Sequence, residues 1–442
     1  MNVKPSRALL LTGTSLMVAG AILLRTANAQ DAGASPNPAP TVSARIEKTS
    51  PRAEPEPTRN SCATPCEDGL PPEAALAEFQ TRLLQMAFRT ASAIPNEPHI
   101  KDRSRAQERV IATCLELDQP RLASELVPKI ANWRRGACDA DLAFYCAEHK
   151  CTGKVQQYLD AAERIAEESS DWRRDRIRVK IAQTYALLGR EEEAASFEAG
   201  VVDSESGKVE RVRARSDGTI SLDDRILALD AVVATGNFEL TRNALWTYAE
   251  LFDRHFDDET RRTELEARIK SAWTKVPVMV RIDVLAALAN AALEHRDQSA
   301  AHALAVEMGA MVDDHRWTAE YEVPLRARVA GLMARAGDPE EARRRNEAAL
   351  AAFDAGRQTI ADVFRAEALR PVAEAYWAMG DQSGALAVYR RVVEAGVENP
   401  NSRPRAIDLS ATCCSLAVQG IEPDEALWER LRQIADGLGD PW

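Results

Sequence analysis

Eight cysteines and six histidines are the residues of this 442-residue chain best suited to chemistry, and their spacing limits what that chemistry can be. The cysteines stand at 62, 66, 114, 138, 146, 151, 413 and 414. Six of them precede residue 152, and in an exported chain such a cluster reads as disulfides. Cys62 and Cys66 can close on each other across the Ala-Thr-Pro turn between them. Cys146 and Cys151 flank the end of one expected helix and form the other candidate pair. Cys138 and Cys151 belong at opposite ends of that helix, roughly 20 Å apart at about 1.5 Å per residue, too far to bond. Cys114 and Cys146 occupy equivalent positions in successive hairpins, where facing helices lie about 8–10 Å apart, also beyond ordinary reach. A metal site built from Cys138, Cys146, His149 and Cys151 matches no common zinc spacing, and an oxidising compartment works against it. Cys413 and Cys414 read as small apolar fillers, since neighbouring helical side chains diverge.

The histidines, at 99, 149, 255, 295, 302 and 315, are scattered. His255 stands near Asp257 and Asp258, and His315 follows Asp313 and Asp314, but adjacency in sequence does not supply the hydrogen-bond reach that acid–base work needs. Phosphate-binding glycine loops, HExxH, GxSxG and CxxCH are all lacking. No catalytic residue, metal or cofactor is assigned.

The start of the chain sets the compartment. Lys4 and Arg7 precede an uncharged, mostly apolar run from Ala8 to Leu24, followed by Ala27-Asn28-Ala29 before Gln30. This pattern predicts a signal peptide over 1–29, cleaved before Gln30, because the apolar run falls short of the roughly 20 residues a spanning helix needs. The expected location is therefore periplasmic or secreted. Residues 30–61 contain six prolines and few bulky apolar residues, which predicts a mobile linker. Cleavage would take the net charge from −12 to −15 by removing Lys4, Arg7 and Arg25. An acidic chain is a poor partner for nucleic acid or anionic lipid, and membrane insertion after cleavage is not expected. A protein or peptide partner remains compatible with it.

Residues 62–104 are expected to form a cysteine-containing helical segment, and 105–442 an array too long for one core. Its phrase is clearest at AEAYWAMGDQSGALAVYRRVVEAG, residues 373–396. Relative to Gly380, small or bulky residues recur seven and four positions before it, and five, nine and twelve after it. Gly337 and Gly189 repeat the offsets, Gly236 repeats them loosely, and Asp118, Lys150 and Arg296 carry them without glycine. Gly420 opens an atypical final pair. Gly380-Asp381 and Gly337-Asp338-Pro339 end one helix and begin the next, and the flanks are rich in good helix formers. These offsets resemble the tetratricopeptide repeat, although the anchors lie 32–60 residues apart where that family repeats near 34, with extra length notably at 204–221.

The resemblance implies an all-α fold, a right-handed solenoid of helical hairpins, working as an exported protein- or peptide-binding scaffold in cell-envelope assembly or organisation. It also implies that the first helix of each hairpin lines a concave face, with Asp230, Asn290, Arg370, Glu374 and Trp377 as candidate binding residues. The alternative is an all-helical toroid that acts on carbohydrates through paired carboxylates. That chemistry usually needs aromatic platforms, and aromatic residues make up only 5% of the chain.

Overall fold

A computed structural model describes residues 66–216 and 220–442; the expected signal peptide, linker and Cys62 lie outside them. Among the described residues the chain is all-α, with no strand beyond a single bridge between Glu67 and Leu70. The helices, in order, are α1 (Glu78–Ala93), α2 (Ile100–Glu116), α3 (Pro120–Leu126), α4 (Arg134–Glu148), α5 (Val155–Glu167), α6 (Asp171–Leu187), α7 (Glu191–Glu198), α8 (Asp203–Ser216), α9 (Leu222–Ala234), α10 (Phe238–Arg254), α11 (Glu259–Ser271), α12 (Val278–Glu294), α13 (Gln298–Asp313), α14 (Ala319–Arg335), α15 (Pro339–Gly356), α16 (Asp362–Ala378), α17 (Gln382–Gly396), α18 (Ser402–Gln419) and α19 (Glu425–Asp436). The boundary expected at 104/105 falls inside α2. None of these helices is long and apolar enough to cross a membrane.

The anchors of the sequence phrase have one conformation in common. Asp118, Lys150, Gly189, Gly236, Arg296, Gly337, Gly380 and Gly420 all take a left-handed φ, between 54° and 91°. Each anchor N–H bonds the carbonyl three residues back, and at Gly380 the next N–H, of Asp381, reaches the Tyr376 carbonyl at 2.9 Å. This double closure satisfies the last carbonyls of one helix and turns the chain into the next. Asp297, Asp338 and Asp381 then cap the following helix by accepting from Ala300, Glu341 and Gly384 N–H.

Three anchors hold the left-handed state without glycine. Asp118 is fixed there by the Tyr145 hydroxyl, which donates to its Oδ1 at 3.0 Å. Lys150 and Arg296 are exposed. A side chain costs about 1–2 kcal/mol in this conformation, partly offset by glycine's greater freedom when unfolded. Lys150→Gly and Arg296→Gly should therefore each raise stability by about 0.5–1 kcal/mol. Gly380→Val should lower it by about 1–2 kcal/mol through φ alone, since an added Cβ at Gly380 meets nothing within 4 Å. Urea midpoints unchanged in all three variants would contradict the turn geometry.

Burial separates the helices into two layers. The odd helices are amphipathic, as in α5, where Val155, Tyr158, Leu159, Ala162 and Ala166 make one buried stripe. Even helices are buried on several faces: α10 is buried continuously from Thr241 to Phe252, and α12 from Val284 to Ala292. The packing agrees with this division. Each even helix packs against the next even one from α2 to α18, while the main partners of the odd helices are even. The two ends of the described chain also meet, because α18 packs against both α1 and α2. At that junction Gln80 donates to the Ala417 carbonyl at 2.8 Å, Arg403 pairs with Asp102 at 3.1 Å, and the Arg82 guanidinium lies 4.7 Å from the Trp428 ring centroid.

The segment expected as an insertion at 204–221 is largely helix α8, a full member of the even layer. It keeps the alternation of inner and outer helices unbroken and puts an extra helix between the Gly189 and Gly236 turns. The Gly236 turn therefore leads from an outer helix, α9, into an inner one, α10, the reverse of the other anchors.

The disulfide corrects both expected pairings. Cys66 bonds to Cys151, with Cα atoms 5.7 Å apart, while Cys146 is a free, fully buried thiol. Cys146 ends its helix pointing into the core, and its carbonyl accepts the Cys151 N–H at 2.9 Å. Cys151 sits beyond the Lys150 turn, where it meets the tight turn of Asp68 and Gly69, both at positive φ. Gly69 is needed there: a Cβ would come within 3.1–3.3 Å of Gly153 and Lys154.

Candidate functional site

Two hydrophobic cores, the larger around Leu83, Tyr145 and Tyr389 and the smaller around Tyr248, Phe252 and Leu285, leave a second stripe on α2, α6 and α16 outside them. On α2 the partly accessible positions include Arg105, Arg109, Ala112 and Glu116; on α6, Arg173, Arg176, Lys180 and Gln183; on α16, Glu367, Pro371, Glu374 and Ala378. Spacings of three and four place each set on one helix face. The faces of α2 and α16 converge where these two helices flank α18. Arg109 of α2 lies within electrostatic reach of Glu367 and Arg370 on α16 and of Asp408 on α18, and Glu116 of α2 is close enough to Glu374 for their charges to repel.

Of the residues anticipated from the repeat, Arg370 and Glu374 are brought together here. Arg370 is 6% exposed, and its Nη2 lies 3.8 Å from Asp408 Oδ1, outside hydrogen-bond range. Ser415 Oγ donates to Glu374 Oε1 at 2.6 Å, which leaves the Tyr389 hydroxyl to donate to Ser415 Oγ, also at 2.6 Å. Asn290 lies elsewhere, on α12, where its Oδ1 accepts from Arg335 at 2.7 Å. Trp377 is partly buried and packs against the larger core. Asp230 falls on the outer helix α9, not on the even layer, and accepts from the Tyr248 hydroxyl at 2.6 Å and from Arg268.

Sequence reasoning missed Arg109, Glu116, Glu367 and Asp408. Their stripe spacing is visible in the sequence, but their convergence depends on α18 packing against α2.

Burial dominates the electrostatics of this cluster. It raises the Glu116 carboxyl to about 8, with repulsion from Glu374 adding to the effect, and raises Asp408 to about 7 against the pull of Arg370. Burial also pushes Glu367 and Glu374 up, and it pushes Arg109 down with help from Arg370. A carboxyl raised on folding holds its proton in the native state where the unfolded chain has lost it. Its contribution to stability is complete below the ordinary value near 4.5 and is lost as pH rises through about 8 for Glu116. Glu116→Gln should therefore flatten the decline in stability between pH 5 and 8, on the order of 1 kcal/mol or more. Parallel pH profiles for the two proteins would contradict this placement.

A second network is fully paired. Glu108 of α2 takes Arg134 of α4 and, at 2.6 Å, Arg176 of α6, tying three consecutive even helices. Lys180 pairs with Asp141 beside it.

The metal alternative loses a ligand, because the Cys151 sulfur is in the disulfide and Cys138 is fully buried in the core. Among the described residues no group of three or more His, Cys, Asp or Glu side chains is placed to hold a metal ion. His149 Nδ1 lies 2.8 Å from the Tyr145 carbonyl, which fixes the proton on that nitrogen. No protein-family model matches the chain, and no curated protein matches it in sequence.

Proposed function

We propose that the chain is an exported binding scaffold of tetratricopeptide-like hairpins, wound as a right-handed superhelical turn, that holds a protein or peptide segment on the polar face of its even helices. The observation that carries this reading is the pair of charged, partly accessible stripes on α2 and α16, which approach each other through Arg109, Glu116, Glu367 and Glu374 beside α18. A fold built only to bury its helices has no use for such a face. Export is supported by the Cys66–Cys151 bridge, which persists in oxidising compartments.

The test is capture from an envelope fraction, followed by mass spectrometry, with the wild type and with an Arg109→Glu/Glu367→Arg double variant that redistributes charge on the face. A partner retained by the wild type and lost from a folded variant is expected. Equal capture by both proteins would place binding elsewhere and sink the proposal.

One observation favours the toroid enzyme as a second reading. The packing of α1 and α2 on α18 brings the array back to its start, and Glu116, with its carboxyl raised to about 8, stands near Glu374. A raised acid beside a second carboxylate is what glycoside cleavage requires. Release of reducing ends from envelope polysaccharides, abolished in Glu116→Gln, would favour this reading. No release from any substrate of the envelope would remove it.

A further inference from the structure

Arg370 presents an unusual set of donors. Its Nε and Nη2 are both buried and have no hydrogen-bond partner, and the side chain as a whole is 7% exposed. These two nitrogens lie on one edge of the guanidinium, so their N–H bonds point the same way and match two oxygens of a single oxyanion. The contrast with Arg211 is informative: it is also buried with two unmatched nitrogens, but they are Nε and Nη1, which do not share an edge, and its Nη2 already donates to Asn243. Orphaned buried donors cost stability, and a fork left open in this way has the form of half a binding site.

We propose that Arg370, supported by Arg109, forms an oxyanion-binding site on the inner face, taking a carboxylate or phosphate group of a ligand through the Nε/Nη2 fork. Arg109, Glu116, Glu367 and Glu374 around it remain partly accessible, so a ligand can reach this stripe, and the buried Arg370 fork must swing towards it to engage the anion. Its charge suits an anion. Arg109 and Arg370 repel each other, and an anion between them relieves that repulsion. Burial raises the four carboxyls nearby, Glu116 to about 8, so they oppose an incoming anion less than exposed carboxylates would. Asp408 is the nearest internal competitor, and at 3.8 Å it does not fill the fork.

Calorimetric titration of the purified full chain at fixed ionic strength, with inorganic phosphate in one arm and succinate in the other, tests the site. Saturable binding of at least one probe at one per chain is expected, weakened on the order of tenfold in Arg370→Lys, which keeps the charge and loses the fork. Phosphate alone would mark a phosphorylated ligand, and succinate alone a carboxylate-bearing one. Arg343→Lys, at an exposed arginine, should bind as the wild type does. Asp408→Asn, which removes the competing carboxylate, should bind more tightly and keeps the test decisive if Arg370→Lys fails to fold. No binding of either probe at millimolar concentration, or equal binding by wild type and Arg370→Lys, overturns the site. The proposal rests on the inner face being the binding face. A captured protein partner held equally by wild type and Arg370→Lys would leave that reading standing without the oxyanion site, and anion binding with no macromolecular partner would do the reverse.

Discussion

Replacing Cys66 by Ser should lower the stability of the oxidised protein by roughly 4–5 kcal/mol, the chain-entropy expectation for a loop of this length. The bridge spans a sequence separation of 85, so cutting it frees a long stretch of the unfolded chain. Either expected pairing would have closed only a few residues and contributed much less. Cys66 is the better of the two positions to change because it is exposed, whereas Cys151 is 2% exposed and a serine there would bury a hydroxyl. The bridge pins residues 66–70 over the turn between α4 and the short 3-10 helix Thr152–Lys154, and so ties the start of the array to its second hairpin. Urea unfolding of the variant and of dithiothreitol-treated wild type should show the same lowered midpoint. Midpoints equal to that of the oxidised wild type in both would rule out the staple.

Glu108→Gln should cost about 3–5 kcal/mol, because it leaves Arg134 and Arg176 without their shared carboxylate in the middle of the even layer. Glu108 is 9% exposed and Arg134 is 5% exposed, so water can replace little of what is lost. Burial alone would raise the Glu108 carboxyl, but Arg176 and Arg134 outweigh it and hold it below its ordinary value near 4.5. A depressed carboxyl contributes stability above its unfolded value and loses it as pH falls through the folded one. The gap between wild type and Glu108→Gln should therefore be full near neutrality and close on acidification below about pH 4. A second substitution, Arg134→Met, should recover only part of the loss in the Glu108→Leu background, since it removes one of the two arginines left without a carboxylate while Arg176 remains. A gap independent of pH would mean that the loss comes from packing and not from charge.

The sequence made the turns legible because the left-handed C-cap is a local device. It needs one residue at positive φ and small or bulky residues at fixed offsets, and all of that lies within about twenty residues of chain. Asp118, Lys150 and Arg296 followed the offsets even without glycine, and each is left-handed. The phase of the array was not legible. Helix α8 does not carry the offsets of the phrase, so RVRARS read as inserted length although it occupies an inner position. That single helix explains why Asp230 lies on the outer layer. The disulfide was half legible: the chain brings Cys66 and Cys151 together across 85 positions, a contact fixed by tertiary packing, whereas local spacing could only propose neighbours. The Arg109–Arg370 cluster was illegible for the same reason. Arg370 and Glu374 stood out from the repeat, but Arg109 and Asp408 join them only because the last even helix packs on the first.

That junction is the central structural claim, and a distance across it is the most direct test. Spin labels at Gln85→Cys on α1 and Glu429→Cys on α19, placed in a Cys62→Ser background, occupy exposed positions near the Arg82–Trp428 contact, while the free thiols among the described residues are buried. Pulsed dipolar spectroscopy should give a single narrow distribution at about 20 Å or less, since Gln85 lies less than one helical turn beyond Arg82. A broad distribution centred at several tens of Å, as expected for the free ends of an open array whose helices are spaced about 8–10 Å apart, would contradict the closure and the converging inner face that depends on it.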